Sequence, residues 1–170
     1  TVLEAETGKL LTSQFPLKNS FSEADFQFFP LGGDLIENVS TKVAFKAVQE
    51  KGLGLDVKGE IVDNTGKVIS SIQSQHLGMG SFTLLPESGK TYKANLSFSV
   101  FFILTISLTQ AKASGIAISV VNSTPANIIL QLSSSPAFFA QNRDKNFYLI
   151  ARSKSVICFA AQTNLATINI

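Results

Sequence analysis

Apolar and polar residues alternate with a period of two along most of this chain. No window holds the i, i+3, i+4, i+7 stripe of an amphipathic helix over three turns. The pattern predicts an all-β protein. Thr1 to Glu6 and Lys9 to Gln14 flank Thr7-Gly8 as a short hairpin, and Pro16 to Ala24 is polar enough to be a connector. Phe26 to Phe29 reads as a strand stopped by Pro30 and the Gly32-Gly33 pair. In Thr41 to Val48, Val43, Phe45 and Ala47 share a face opposite Lys42 and Lys46, the mark of a strand with one side in water. Leu55 to Val62 repeats it with Val57, Gly59 and Ile61, and Asp63-Asn64-Thr65-Gly66 is a hairpin loop leading into Lys67 to Ser74. Ser81 to Leu85 and Thr91 to Phe98 follow, separated by a turn at Pro86 to Gly89. Short strands at this spacing predict a β-sandwich or barrel.

Beyond residue 98, Val100 to Leu108 is apolar on both faces, which predicts a strand buried between layers or against a neighbour. Gly115 to Val121, Asn127 to Leu132, Phe147 to Ala151, Val156 to Ala160 and Ala166 to Ile170 are further strands, and Ser133 to Asn146 reads as the loosest loop. The organisation expected is a hairpin and connector over 1–24, one sandwich over 25–98, and a second, incomplete sandwich over 99–170. An incomplete module leaves strand edges unpaired, so self-association through exposed edges is expected.

Composition supports a packed core: 45% of residues are hydrophobic, with 14 phenylalanines, and only 15% are charged. A formal charge of +2 gives no case for nucleic-acid binding. Its distribution is uneven. Residues 21–98 hold seven lysines and nine acids, whereas 99–170 hold five basic residues and the single acid Asp144. Arg143, Lys145, Arg152 and Lys154, with the aromatics Phe138, Phe139 and Tyr148, are therefore the candidate partner contacts. Cys158 is the lone cysteine, so no intramolecular disulfide forms, and its apolar surroundings predict a small buried hydrophobe. The apolar stretch Leu96 to Leu108 is too short to span a bilayer, so no transmembrane segment is expected, and the chain reads as a piece of a longer protein whose targeting signal lies outside it.

The inventory for catalysis is thin. His76 is the single histidine, and no Gly-x-Ser-x-Gly elbow or multi-histidine metal set accompanies it. It reads as a hydrogen-bonded residue at a strand end. Gly78-Met79-Gly80 lacks the helix that a phosphate loop needs and reads as a bulge or tight bend. Asp25, Asp34, Glu37, Asp56, Glu60 and Asp63 lack the spacing of a calcium loop. No catalytic residue, cofactor or metal is expected. Sequons at Asn38, Asn95 and Asn122 are expected to be unmodified.

Five stretches carry a resemblance: Phe28-Phe29-Pro30-Leu31-Gly32-Gly33-Asp34-Leu35, Val43-Ala44-Phe45-Lys46-Ala47, Gly54-Leu55-Asp56-Val57-Lys58-Gly59, His76-Leu77-Gly78-Met79-Gly80-Ser81-Phe82 and Gly89-Lys90-Thr91-Tyr92. Together they resemble the macroglobulin-like domains of large bacterial cell-envelope proteins of the TonB-linked or carboxypeptidase-regulatory-like type, over about residues 26 to 98. Leu31 stands where that family usually has Glu. Ala113-Ser114-Gly115-Ile116-Ala117 and Tyr148-Leu149-Ile150-Ala151-Arg152-Ser153-Lys154 resemble the module that follows. The thioester motif of protease-trapping macroglobulins is absent, because Phe159-Ala160-Ala161-Gln162 follows Cys158.

The resemblance implies tandem immunoglobulin-like antiparallel β-sandwiches of macroglobulin type, in the periplasm or associated with the outer membrane. The function expected is a non-catalytic structural module that spaces or docks other domains of its parent chain or other envelope proteins. The competing expectation is a carbohydrate- or peptide-binding sandwich using Phe138, Phe139, Tyr148 and the basic hairpin. A hydrolase built on His76 is the third.

Overall fold

The computed structural model describes residues 2–3, 10–11, 24–99, 102–124 and 127–166. β1 (Val2–Leu3) pairs antiparallel with β2 (Leu10–Leu11). The polar connector lies almost wholly outside the described residues, as do the Thr7-Gly8 turn and most of the strand expected at Ala166 to Ile170.

An antiparallel sandwich follows. β3 (Asp25–Pro30), β4 (Thr41–Val48) and β7 (Met79–Leu84) form one sheet in the order β3-β4-β7. β5 (Lys58–Asp63), β6 (Val68–Gln73), β8 (Tyr92–Ser99) and β9 (Phe102–Ser107) form the other, in the order β6-β5-β8-β9. Alternation sets what each strand buries: Val43, Phe45 and Ala47 from β4, Phe82 and Leu84 from β7, Ile61 from β5, Ile72 from β6, and Tyr92, Ala94 and Leu96 from β8 make one core. Phe28 packs edge-on against Phe82 at 6.2 Å, closing the β3 side. Each large side chain removed from water here contributes about 1.5–3 kcal/mol.

Leu55 to Val57 is not part of β5, although the alternation runs through it. The Leu55 amide donates to Ala47 O at 3.0 Å, while the Val57 amide donates to Ser74 Oγ at 3.0 Å and Val57 O accepts from the Ser74 amide. The segment thus leaves the β4 sheet and joins the β5 sheet while keeping Leu55 and Val57 buried. The return from β6 to β7 is a tight turn with Leu77 and Gly78 both at positive φ, 47° and 77°. The bend expected at Gly78-Met79-Gly80 is therefore a hairpin turn, with Met79 N donating to His76 O at 2.8 Å.

The boundary expected at residue 98 falls inside a hairpin. β9 pairs with β8 from Lys93↔Ser107 to Ser99↔Phe102, and Leu108 is buried in the first core. β9 is an edge, not a strand between layers: Ile103 is 78% exposed. The outer face expected to be covered has nothing packed on it among the described residues.

After β9 the architecture thins. β10 (Ile116–Thr124) and β11 (Asn127–Ser134) form one two-stranded sheet, and β12 (Asn146–Ser153) and β13 (Val156–Asn164) another. The first of these docks on the sandwich: Ile118 N donates to Gly32 O at 3.2 Å, Ile36 bridges Lys112, and Ile36, Val39 and Ala117 form a small separate cluster. Gly32 is required at that junction. It sits at φ 102°, and a Cβ there would strike the Ile118 carbonyl oxygen.

Within the expected loop lies one helix, α1 (Pro136–Asn142). Ser135, buried, accepts the Phe138 amide at 3.3 Å as its N-cap, Pro136 fills the first turn, and Ser135 Oγ also accepts from Gly115 N at 3.3 Å. One hydroxyl therefore ties the helix to the start of β10.

A candidate docking surface

The residues singled out for partner contact lie on α1, on the β12–β13 hairpin and on the loop between them, but the fold separates them. Phe138 is half-buried and meets Phe147 at 6.1 Å between ring centroids. Phe139 is also half-buried. Tyr148 follows Phe147 on β12 and so points to the opposite face, where it is 70% exposed. These aromatics therefore form no single coplanar platform.

The cations divide too. Arg143 and Lys145 precede β12, and Arg152 and Lys154 lie at its far end, roughly 25 Å away at about 3.4 Å per residue. That exceeds the screening length of ~8–10 Å in ordinary salt, so the two pairs act independently. Lys145 is also engaged locally, its Nζ donating to Asn142 Oδ1 at 3.0 Å beside the carbonyl end of α1. Arg143 lies 4.0 Å from Asp144, both well exposed.

What the hairpin does assemble is apolar. Tyr148, Ile150 and Ile157 lie on one face, at 70%, 60% and 60% exposure, and Phe147, Leu149 and Ala151 line the other, half-buried. The register shifts between Ala151 and Arg152, because Ala151 faces Phe159 while Arg152 faces Ile157. Cys158 is the extra residue of this bulge, and it is exposed. The buried thiol expected there needs a second layer over the hairpin, and none is present among the described residues.

The other candidates resolve into structural roles. His76 is exposed, its backbone closing the turn to Met79, and no hydroxyl or acid hydrogen-bonds its ring among the described residues. The most perturbed titrating groups are Asp63 and Lys90. The Asp63 carboxylate is enclosed: Oδ1 accepts from Thr65 Oγ1 at 2.6 Å, Thr65 N at 2.9 Å and Lys67 N at 3.0 Å, and Oδ2 accepts from Lys90 Nζ at 3.0 Å. The Thr65 hydroxyl and then the Lys90 ammonium hold its pKa far below the usual carboxylate range. Lys90 also meets Glu87 at 2.8 Å, and Glu87 and Asp63 raise its pKa. These contacts latch the β5–β6 loop to the β7–β8 loop. Among the described residues, no group of three or more His, Cys, Asp or Glu is placed to hold a metal ion. No helix of the described residues is long and apolar enough to cross a membrane.

Concavities among the described residues include two that involve the sandwich. One, of about 910 Å3, lies on the polar outer face of the four-stranded sheet, over Lys58, Glu60, Gln73, Asn95, Ser97 and Thr105. The other, of about 730 Å3, is the groove where β10 meets the sandwich, bounded by Leu31, Lys42, Thr83, Ile118 and Val120. Neither gathers a nucleophile, a base and an oxyanion donor. Comparison with known proteins adds no relative. No family model, curated protein or solved structure matches the chain.

Proposed function

We propose that this chain is a non-catalytic structural and docking module of a bacterial cell-envelope protein, of macroglobulin type, which presents its β12–β13 hairpin to another domain of its parent chain. The apolar hairpin face carries the reading. A two-stranded hairpin is at best marginally stable alone in water, and Tyr148, Ile150 and Ile157 spend apolar area on solvent unless a partner covers them. The layered sandwich supplies the rigid mount, and Phe138 against Phe147 ties the hairpin base to α1. The envelope assignment rests on the motif resemblance across 26 to 98.

The test is a binding titration of the chain against the separately expressed neighbouring domains of its parent protein. Binding should weaken at least tenfold in the Tyr148→Ser/Ile150→Ser double variant, since burial of each side chain is worth about 1.5–3 kcal/mol. The unfolding midpoint of the sandwich should not move. Failure of every neighbouring domain to bind, or binding indifferent to these two residues, would refute the docking role.

A further inference from the structure

We propose that β9 is a self-complementary strand edge through which two copies of this chain join their four-stranded sheets into one continuous sheet about a two-fold axis. This goes beyond the docking role of the β12–β13 hairpin and does not depend on it, because β9 belongs to the first sandwich.

The direction of the free backbone groups follows from the ladder. Leu108 N donates to Tyr92 O at 2.9 Å, and the β8–β9 register runs Lys93↔Ser107, Ala94↔Ile106, Asn95↔Thr105, Leu96↔Leu104 and Ser97↔Ile103. In an antiparallel pair, residues alternate between exchanging hydrogen bonds with the partner and turning their N–H and C=O away from it. Ile106 and Leu104, in phase with Leu108, therefore bond to β8. Ile103, Thr105 and Ser107 turn theirs to the open side, and β9 is the last strand of its sheet, so no described strand meets them.

Edges normally carry a device that discourages pairing: a charge, a proline or a bulge. β3 carries Asp25 and Pro30, and β13 is bulged at Cys158. β9 has none of these. Its sequence, Phe-Ile-Leu-Thr-Ile-Ser, is uncharged, and no charged residue occurs from Ala94 to Ala111. The bulge in this hairpin falls on β8, between Ser97 and Ser99, leaving β9 straight.

The occupant is argued from symmetry. A two-fold axis normal to the sheet keeps each side chain on its own face, so a residue pairs only with one of the same parity. Centring it on Thr105 places Thr105 opposite Thr105 of the second copy and Ile103 opposite Ser107, with all three open-side residues in hydrogen-bonding register, about six backbone hydrogen bonds in total. Leu104 then lies opposite Ile106 on the core side. Both are half-buried in one copy, and pairing covers them. No like charges meet across the axis. The Thr105 hydroxyl already donates to Asn95 Oδ1 at 2.9 Å, so the pairing is carried by the backbone. The strand thus satisfies its own sequence with a second copy and needs no other partner.

The test is sedimentation velocity on the whole chain between about 5 and 500 µM, with amide hydrogen exchange at both ends of that range. A concentration-dependent dimer is expected, with the Ile103, Thr105 and Ser107 amides protected only at the high end. Thr105→Lys puts two ammonium groups across the axis and should weaken dimerisation at least tenfold. Thr105→Pro should do the same while sparing the β8–β9 ladder, because the amide it deletes points away from β8. The dilute unfolding midpoint reports whether each variant keeps its fold. A chain that stays monomeric at 500 µM, or a dimer that survives both folded variants, overturns the proposal. So does a dimer whose Thr105 amide exchanges freely, since the contact then lies elsewhere. Protection of Thr105 in a monomer only on adding an unrelated extended peptide would mark a peptide-docking edge, and would equally overturn it.

Discussion

The sandwich formed by β3 to β9 and the two hairpins that follow it are written in the same alternating code, yet they end in different physical states. In the sandwich, fourteen residues from the two sheets and their connecting segments share one buried cluster. After Leu108, the buried apolar residues among those described are Ala117 and Leu165. Val43 and Ile150 are equally good strand residues, but Val43 faces a second sheet and Ile150 faces water. Alternation specifies which side of a strand is apolar. Burial is conferred by an opposing layer, and among the described residues only the first region supplies its own.

Core truncation should separate the two regions most strongly. Leu96→Ala or Ile61→Ala removes a fully buried side chain and should cost about 2–5 kcal/mol in urea unfolding, whereas Ile150→Ala should stay within about 0.5 kcal/mol. A large loss at Ile150 would mean that the hairpin is covered in the isolated chain. Next in size, Gly32→Ala forces a Cβ into the Ile118 carbonyl and an alanine into positive φ, for about 1–3 kcal/mol. Because Gly32 joins β10 to the sandwich, the Ile118 amide should lose its exchange protection while Ile61 keeps its own.

A smaller effect comes from the capping hydroxyl. Ser135→Ala should cost about 1 kcal/mol of local stability, read as faster exchange of the α1 amides, and should leave the sandwich midpoint unmoved. Asp63 and Lys90 build a pH dependence into the sandwich. Asp63 titrates lower in the folded chain than in the unfolded one, so its contribution is present above about pH 4 and is lost as pH falls toward its folded pKa. Lys90 titrates higher when folded, so its contribution is present below about pH 10 and is lost as pH rises through the folded value. Asp63→Asn should therefore flatten the acid limb of the stability profile below pH 4, while exchange in the β12–β13 hairpin keeps its wild-type response to acid.

The same comparison explains what the sequence could tell. The all-β class and most strands of the sandwich were legible from alternation and from turn residues such as Gly66, whose φ of 85° its position demands. The Leu55 to Val57 crossing was not, because passing between sheets preserves the alternation while changing the hydrogen-bond partner. β9 was misplaced because apolarity on both faces does not distinguish a central strand from an uncharged edge. The exposure of Cys158 was hidden for a related reason: the residues around it are apolar, but whether a layer covers them is a non-local fact. α1 left a readable signal in Ser135-Pro136, a cap followed by a first-turn proline, which the phenylalanines beside it obscured. The candidate contacts are close along the chain, but pleating sends Phe147 and Tyr148 to opposite faces and the length of β12 parts the cations.

Native-state hydrogen exchange resolved by residue tests the central claim most directly. The amides of Val43, Ile61 and Leu96 should exchange only through global unfolding, and those within the β12–β13 ladder should exchange through local opening at far lower free energy and with little denaturant dependence. Equal protection in the two regions, lost together in a single transition, would contradict the account.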